Sequence, residues 1–290
     1  MSYTDFVSYI DTDSIIFQLH QWFVENGVDM DKWESLPLDT KLEYIKRISQ
    51  EVENYVNDQS FDTTQKLHYN SQVDDFKINF EREKIASSGL FVTKKRYALY
   101  TLMDGNKKVE EMYIKGLEII RSDSPEVCKP KIKKILEMIL KNYSDDEVKE
   151  YISKCKKELK ACSPEEIGEN KGINNLGKYI KNEYDYIKGT PHQVKGVAHL
   201  RFLVKKLNME NIVEVPQEGV KAKVVYLKPN KYKLDSLSFL KWYKEFDKIV
   251  SVDMKKMIEN NFIKKIESLL KVINKEYLLT ESVDIGSIFC

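Results

Sequence analysis

Over the first twenty residues apolar and polar positions alternate with a period near two. Phe6-Val7-Ser8-Tyr9-Ile10 and Ser14-Ile15-Ile16-Phe17-Gln18-Leu19 flank the short acidic segment Asp11-Thr12-Asp13. β-Branched and aromatic runs on either side of a tight polar break predict a β-hairpin with the acids at its tip. The period then lengthens. Leu42, Ile45, Ile48, Val52 and Tyr55 recur at three- and four-residue steps, which predicts a surface helix entered through Asp39-Thr40 as its cap. From Phe76 to about Tyr113 strand character returns in Phe76–Phe80, Gly89–Thr93 and Arg96–Thr101, separated by polar or glycine-bearing breaks. Those runs predict a small antiparallel sheet built around the first hairpin. After Gly116 the pattern turns helical, with Ile132, Ile135, Leu136, Ile139 and Leu140 in one amphipathic segment and Val148, Tyr151, Ile152 and Leu159 in another. Phe262, Ile263, Ile266, Leu269, Leu270 and Ile273 mark a long last one. A boundary near residue 116 therefore separates an α+β part from a helical part whose polar faces are filled with lysine.

Composition sharpens this picture. The 290 residues hold only 11 glycines and 7 prolines, about half the usual share, as long helices with few tight turns require. The four cysteines, Cys128, Cys155, Cys162 and Cys290, form neither Cys-x-x-Cys pairs nor a dense framework. Structural zinc and a secreted disulfide scaffold are both poor readings, and a reducing cytoplasm fits best. No apolar run approaches the ~20 residues that span a bilayer, and Met1 opens onto polar residues rather than a leader, so no membrane partner is expected.

The net charge of +1 conceals an asymmetry: residues 1–83 carry 17 acidic against 7 basic side chains, and residues 84–290 carry 29 against 40. An acidic head can gather carboxylates for a divalent cation, and a basic body can follow a polyanion. Charge runs are also ordinary solvated helix faces. Within the head, Asp11 and Asp13 at i and i+2 across a hairpin tip suit a hard cation such as Mg²⁺, which phosphoryl transfer needs; an Asp-x-Asp equally caps a turn through backbone amides.

The frame Tyr9-Ile10-Asp11-Thr12-Asp13-Ser14 between two apolar strands resembles the Tyr-x-Asp-Thr-Asp-Ser motif of the family B (α-type) DNA polymerases, where it forms the palm hairpin that holds the catalytic metals. Downstream, Thr93-Lys94-Lys95-Arg96-Tyr97-Ala98 resembles the Lys-Lys-Arg-Tyr element that closes the same palm. Lys115-Gly116-Leu117-Glu118-Ile119-Ile120-Arg121, leading to Ser124-Pro125, is similar to the family's palm-to-thumb passage. His192-Gln193-Val194-Lys195-Gly196-Val197 resembles a thumb segment of polymerases from large tailed phages. The matches run in order over residues 9–201.

The resemblance implies an α+β fold, an antiparallel palm sheet with a β-hairpin active-site tip followed by a mostly helical thumb. Residues 1–115 would be the C-terminal part of the palm, 116–280 the thumb and 281–290 a clamp-binding tail. It makes Asp13 the direct ligand of two Mg²⁺ ions and Asp11 a neighbour, with Thr12, Lys95 and Asp104 tuning the metal site. It assigns Lys95 to the minor groove at the primer end. That role is physically sound, because every correct pair shows acceptors there, at purine N3 and pyrimidine O2. Lys94, Arg96 and Tyr97 would support the primer strand, and Lys115, Arg121, Lys195 and Arg201 are candidate phosphate contacts of the thumb, where contacts position DNA without reading it. Without the first motif, Lys94 to Arg96 read as a solvated strand edge that resists aggregation. His20, His68, His192 and His199 show no ligand spacing and read as surface or core histidines. The apolar residues Ile285, Ile288 and Phe289 of the last ten resemble the short tail by which such polymerases dock on a sliding clamp.

The family also needs a second palm aspartate, a fingers helix that holds the triphosphate and usually an editing exonuclease, yet Met1 lies only eight residues before Tyr9. The expectation is therefore a split enzyme. This chain would share its two Mg²⁺ ions with an N-terminal polymerase half, bind primer-template DNA and dNTP jointly with it, and work in the cytoplasm, the host cell's if phage-encoded. A hairpin cut from its sheet should leave edges and an apolar face for that half to bury, over ~1,000 Å², with Trp22, Phe23 and Trp33 either contributing to the interface or forming local core. Two rivals stand beside this: a non-catalytic DNA-binding and clamp-binding subunit, and an unrelated Mg²⁺ or Ca²⁺ site on a helical interaction protein.

Overall fold

The computed structural model describes residues 7–11, 14–61, 80–117 and 124–280, with the backbone alone for Asp11 and for 59–61. Two compact units make up the chain. The first comprises residues 1–88 and 99–113, the second 89–98 and 114–290.

The opening hairpin forms as its alternation predicts. Strands β1 (Val7–Asp11) and β2 (Ser14–Phe17) pair antiparallel, with Ile10 opposite Ile15 and Asp11 opposite Ser14, and a register irregularity lies between Val7 and Tyr9. Helices α1 (Leu19–Glu25), α2 (Met30–Ser35) and α3 (Leu38–Asn54) follow. Asp29 caps α2 by accepting from the amides of Asp31 and Lys32 at 3.1 and 3.2 Å, satisfying donors that a helix start leaves open. Phe23 is buried between Trp33, at 4.6 Å between ring centroids, and Tyr44, at 6.1 Å, with Trp22 edge-on at 5.7 Å. Phe23 therefore belongs to the local core.

The expected cap of α3 is corrected. Pro37 holds the cap position and its carbonyl accepts the first helical bond, from the Lys41 amide at 3.1 Å, so the helix starts ahead of Asp39-Thr40. Asp39 instead pairs with Lys108 at 2.5 Å. A proline's φ is preset for this bend, and no side chain caps the helix start. A π-helical stretch, Tyr55–Phe61, extends α3. Within it the Asn57 amide closes a pair of hydrogen bonds with the backbone of Phe80, at 2.7 and 3.0 Å.

Strands β3 (Lys84–Thr93), β4 (Arg96–Asp104) and β5 (Lys107–Lys115) form one sheet in that order, joined by the two-residue turns Lys94-Lys95 and Gly105-Asn106. Leu42 of α3 packs with Ile85 and Met103 of this sheet as the core of the first unit. The expected strand at Phe76–Phe80 falls, but for Phe80, outside the described residues. The expectation of one sheet around the first hairpin is corrected: among the described residues β1 and β2 form a two-stranded sheet of their own.

The second unit contains α4 (Lys129–Leu140), α5 (Asp145–Lys160), α6 (Pro164–Ile167), α7 (Leu176–Tyr179), α8 (His192–Lys206), α9 (Met254–Ile258) and α10 (Lys264–Leu270), the last two joined by a π-helical stretch, Glu259–Ile263. Ser144 and Ser163 open α5 and α6 through reciprocal capping boxes with Glu147 and Glu166. The unit also holds a three-stranded antiparallel sheet, β6 (Glu169–Gly172), β7 (Lys221–Tyr226) and β8 (Ser236–Phe239), that the helical pattern does not announce. β6 has no apolar residue, and β8, buried at every position, alternates polar and apolar residues over only four positions, too short a run to announce a strand.

Helix α8 lies against β8. A Cβ built on Gly196 would overlap the Ser238 hydroxyl and stand 2.6 Å from the Ser238 nitrogen, so only glycine permits this approach. The serines use the proximity: Ser236 Oγ donates to the His192 carbonyl at 3.0 Å and Ser238 Oγ to the Gln193 carbonyl at 2.6 Å. Buried hydroxyls thereby find acceptors in carbonyls of the first helical turn. Val194, Val197, Ile173 and Ala222 fill the rest of this seam with buried apolar surface, each larger side chain contributing about 1.5–3 kcal/mol.

Candidate active site and nucleic-acid interface

Three groups of predicted residues occupy three different elements. The acidic motif sits on the hairpin: Asp11 ends β1 opposite Ser14, which leaves Thr12 and Asp13 as the connection between them. Thr12, Asp13 and the Asp11 side chain lie outside the described residues. Alternation along the hairpin is clean, with Val7, Tyr9, Ser14 and Ile16 half-buried. Ile10, Ile15 and Phe17 face outward, 60%, 39% and 42% exposed.

The second group is the turn between β3 and β4. Lys94 and Lys95 form it and are exposed, Arg96 is half-buried and Tyr97 is buried. Lys95 takes φ of 62°, a left-handed conformation that costs an L-residue with a Cβ roughly 1–2 kcal/mol. Tyr97 anchors the turn: its ring packs on Phe91 at 5.5 Å between centroids, and the Lys115 ammonium lies 5.9 Å above it. Lys115 is thus held by an aromatic face at the root of the turn. Asp104 ends β4, at the opposite end from Lys95, and pairs with Lys84 at 2.7 Å.

The third group lies on α8. Lys195 stands 3.6 Å from the Asp235 carboxylate and 5.6 Å from the centre of the Tyr186 ring, and Arg201 is half-buried on the same helix. Arg121 and the tail residues Ile285, Ile288 and Phe289 lie outside the described residues.

Around α8 the structure adds residues that sequence reasoning missed. Positions 195, 199, 202 and 206 follow one helical face. Along it His199 meets Tyr186, and Phe202 lies between Tyr184, edge-on at 6.2 Å, and Tyr232 at 5.3 Å. Lysines lie over these rings: Lys205 over Tyr184 at 5.4 Å, and Lys206 and Lys231 over Tyr232 at 5.8 and 4.9 Å. Nearby, Lys256 stands 4.2 Å over Tyr226, on which His192 stacks at 5.2 Å. Each ring restrains an ammonium without neutralising it. The visible signal was the run of tyrosines among lysines at 179–188 and 226–233, but the pairing needs the fold.

Of the histidines, His68 lies outside the described residues, His192 is half-buried and His199 is buried. His199 is buried, with Nδ1 2.8 Å from the Ser236 carbonyl and Nε2 3.1 Å from the Tyr186 hydroxyl. A neutral ring satisfies both, Nδ1–H donating to the carbonyl and Nε2 accepting from the phenol. Burial pushes its pKa down, against the Ser236 carbonyl and Asp235, which favour the charged ring. His192 is likewise pushed down, chiefly by burial, although Glu169 opposes this from 3.9 Å. Among the described residues no group of three or more His, Cys, Asp or Glu is placed to hold a metal ion. None of the helices described is long and apolar enough to cross a membrane.

The fold and this surface define an α+β protein with a paired lysine turn and a basic, tyrosine-backed helix face. The family model of DNA polymerase family B matches residues 40–278, and the chain belongs to that family. The matched span contains the Lys94–Tyr97 turn and all of α8, whereas the acidic hairpin precedes it. No curated protein matches the chain. A family B polymerase implies DNA and nucleoside triphosphates as substrates.

Proposed function

We propose that this chain is the C-terminal palm and thumb portion of a replicative DNA-directed DNA polymerase of the type found in large tailed phages, and that it extends a primer 3′ end together with an N-terminal half on a second polypeptide. In this reading residues 1–115 complete the palm, 116–280 are the thumb and 281–290 engage a sliding clamp through Ile285, Ile288 and Phe289. The observation that carries it is the family match over residues 40–278 behind a hairpin that pairs Asp11 with Ser14.

Asp11 and Asp13 bring hard carboxylate oxygens, the donor type Mg²⁺ takes, and would hold two ions shared with the other half. When bound, the ions activate the primer hydroxyl and stabilise the departing pyrophosphate. The chain's own residues do the positioning. Lys95 donates to minor-groove acceptors of the terminal pair, Lys94 and Arg96 support the primer strand, and the buried Tyr97 fixes their turn. Lys115, Lys195 and Arg201, together with the ring-restrained Lys205, Lys206 and Lys231, grip duplex phosphates behind the primer end.

The test is a pull-down of tagged chain from its native lysate, then primer extension with Mg²⁺ on what co-purifies, comparing the parent with D13A. A larger partner and extension lost at least a thousandfold in D13A are expected. A partner with normal extension in D13A would instead make the chain a DNA-gripping subunit that performs no chemistry.

A further inference from the structure

The turn that presents Lys94 and Lys95 rests on a residue with no side chain. Gly116 follows β5 with φ of 68°, and its backbone lies so close to the turn that an added Cβ would overlap the Lys95 carbonyl oxygen. The same Cβ would reach 3.2 Å from the Lys95 carbonyl carbon and 3.3 Å from Arg96 Cγ. The obstacle is backbone, so a flexible side chain cannot swing away to relieve it. Lys95 is itself held in the left-handed region, where a residue with a Cβ stays only if its surroundings leave it no alternative. Tyr97 pins one side of the turn through Phe91 and Lys115, and the bare backbone of Gly116 closes the other.

We infer that Gly116 is a positioning residue for Lys95: its missing side chain lets the backbone after β5 close on the Lys95 carbonyl, and this contact keeps the lysine turn in the conformation that carries the Lys95 ammonium to a primer end. This rests on the proposed role of Lys95 and adds what holds it. An alanine at 116 meets two penalties, the left-handed φ and the collision with Lys95. An asparagine tolerates that φ far better but brings the same Cβ, so G116N isolates the collision.

The experiment measures, by fluorescence anisotropy on the full chain, affinity for a recessed primer-template and for a blunt duplex of the same length, with a thermal melt of each variant. K95A should lower the preference for the recessed end about tenfold. G116N and G116A should lower it about as much, with blunt-duplex affinity within twofold of the parent. Each double variant with K95A should lose no more than K95A alone, because both act through one ammonium. A conservative K95R should keep most of the preference on unaltered Gly116 and lose it in G116N. If K95A lowers the preference and G116N does not, or if the two losses multiply, Gly116 does not position Lys95 and the inference falls while the role of Lys95 stands. A K95A chain with unchanged preference removes the role of Lys95 itself, and the inference with it. A G116N chain without a cooperative melt makes Gly116 a folding residue and overturns the positioning role.

Discussion

His199 shows how single residues in the second unit are tied to pH. Its ring is buried and neutral between the Ser236 carbonyl and the Tyr186 hydroxyl, with Asp235 and Lys195 as the charged neighbours. Because the folded pKa lies below the usual value of about 6.5, the unfolded chain takes up a proton that the folded chain refuses. Stability is therefore complete above that unfolded value and declines as pH falls through it toward the lowered folded one. His192, lowered by the same cause, adds in the same direction. The melting temperature should drop between pH 7.5 and 5, and H199Q, which keeps a donor and an acceptor but does not titrate, should reduce the drop. Equal slopes for parent and H199Q would exclude His199 as its source. Cys128 offers a second check at this scale. Burial pushes its thiol up to about 12, against nearby Lys265 and Lys131, so the reactive thiolate is scarce at pH 8. Native protein should leave Cys128 unlabelled by iodoacetamide while the half-exposed Cys162 reacts first, and unfolding should make them equal, as peptide mass mapping will show.

At the scale of elements, the seam between α8 and β8 and the outer face of α8 make separate predictions. G196A must push the helix off Ser238 and should cost about 1–3 kcal/mol, read as a lower midpoint in urea. On the outer face, removal of Lys205, Lys206 or Lys231 should weaken DNA binding alike for all sequences and lower the slope of log K against log salt by about one each. An unchanged slope would place that lysine off the phosphate path. Legibility in the sequence divides along the same lines. The hairpin could be read because β-branched and aromatic runs stand on either side of a short acidic break, a signal that apolar residues on both of its faces do not erase. Helices α4, α5 and α10 bury a stripe, and their period shows it, whereas α8 is buried on most of its sides and was not read from its period. β6 and β8 were not read, since β6 has no apolar residue to mark it and the Ser-Leu-Ser-Phe alternation of β8 lasts only four residues. The start of α3 was misread because Asp39 looks like a cap until Pro37 is seen to set the bend. The tyrosine-lysine face was legible as composition only, because Lys195–Tyr186, Lys205–Tyr184 and Lys206–Tyr232 join α8 to two loops whose approach the fold alone sets.

For the molecule as a whole, the exposed apolar face of the opening hairpin matters most. Ile10 and Ile15 are direct cross-strand neighbours, Phe17 lies on the same outward side, and among the described residues no further strand pairs with β1 or β2. A two-stranded ribbon is marginal by itself in water, and an open strand edge invites pairing with another chain. Charge points the same way, for the acidic first 83 residues are poorly suited to gripping DNA directly, whereas the basic remainder is suited to it. The proposed N-terminal half would supply both a strand for that edge and the apolar cover. Ile15→Lys and Phe17→Lys place charges where that cover would sit, yet both side chains already face outward, so folding of the free chain should change little. The double variant should therefore keep its circular dichroism spectrum and melting midpoint within about 2 °C, a ΔΔG under ~1 kcal/mol. It should lose co-purification of the larger partner by at least tenfold, and with it primer extension, while binding to blunt duplex through the α8 face persists. Retention of the partner by the double variant would move the interface away from this hairpin. Loss of duplex binding together with the partner would mean that the hairpin supports the fold of the chain rather than its assembly.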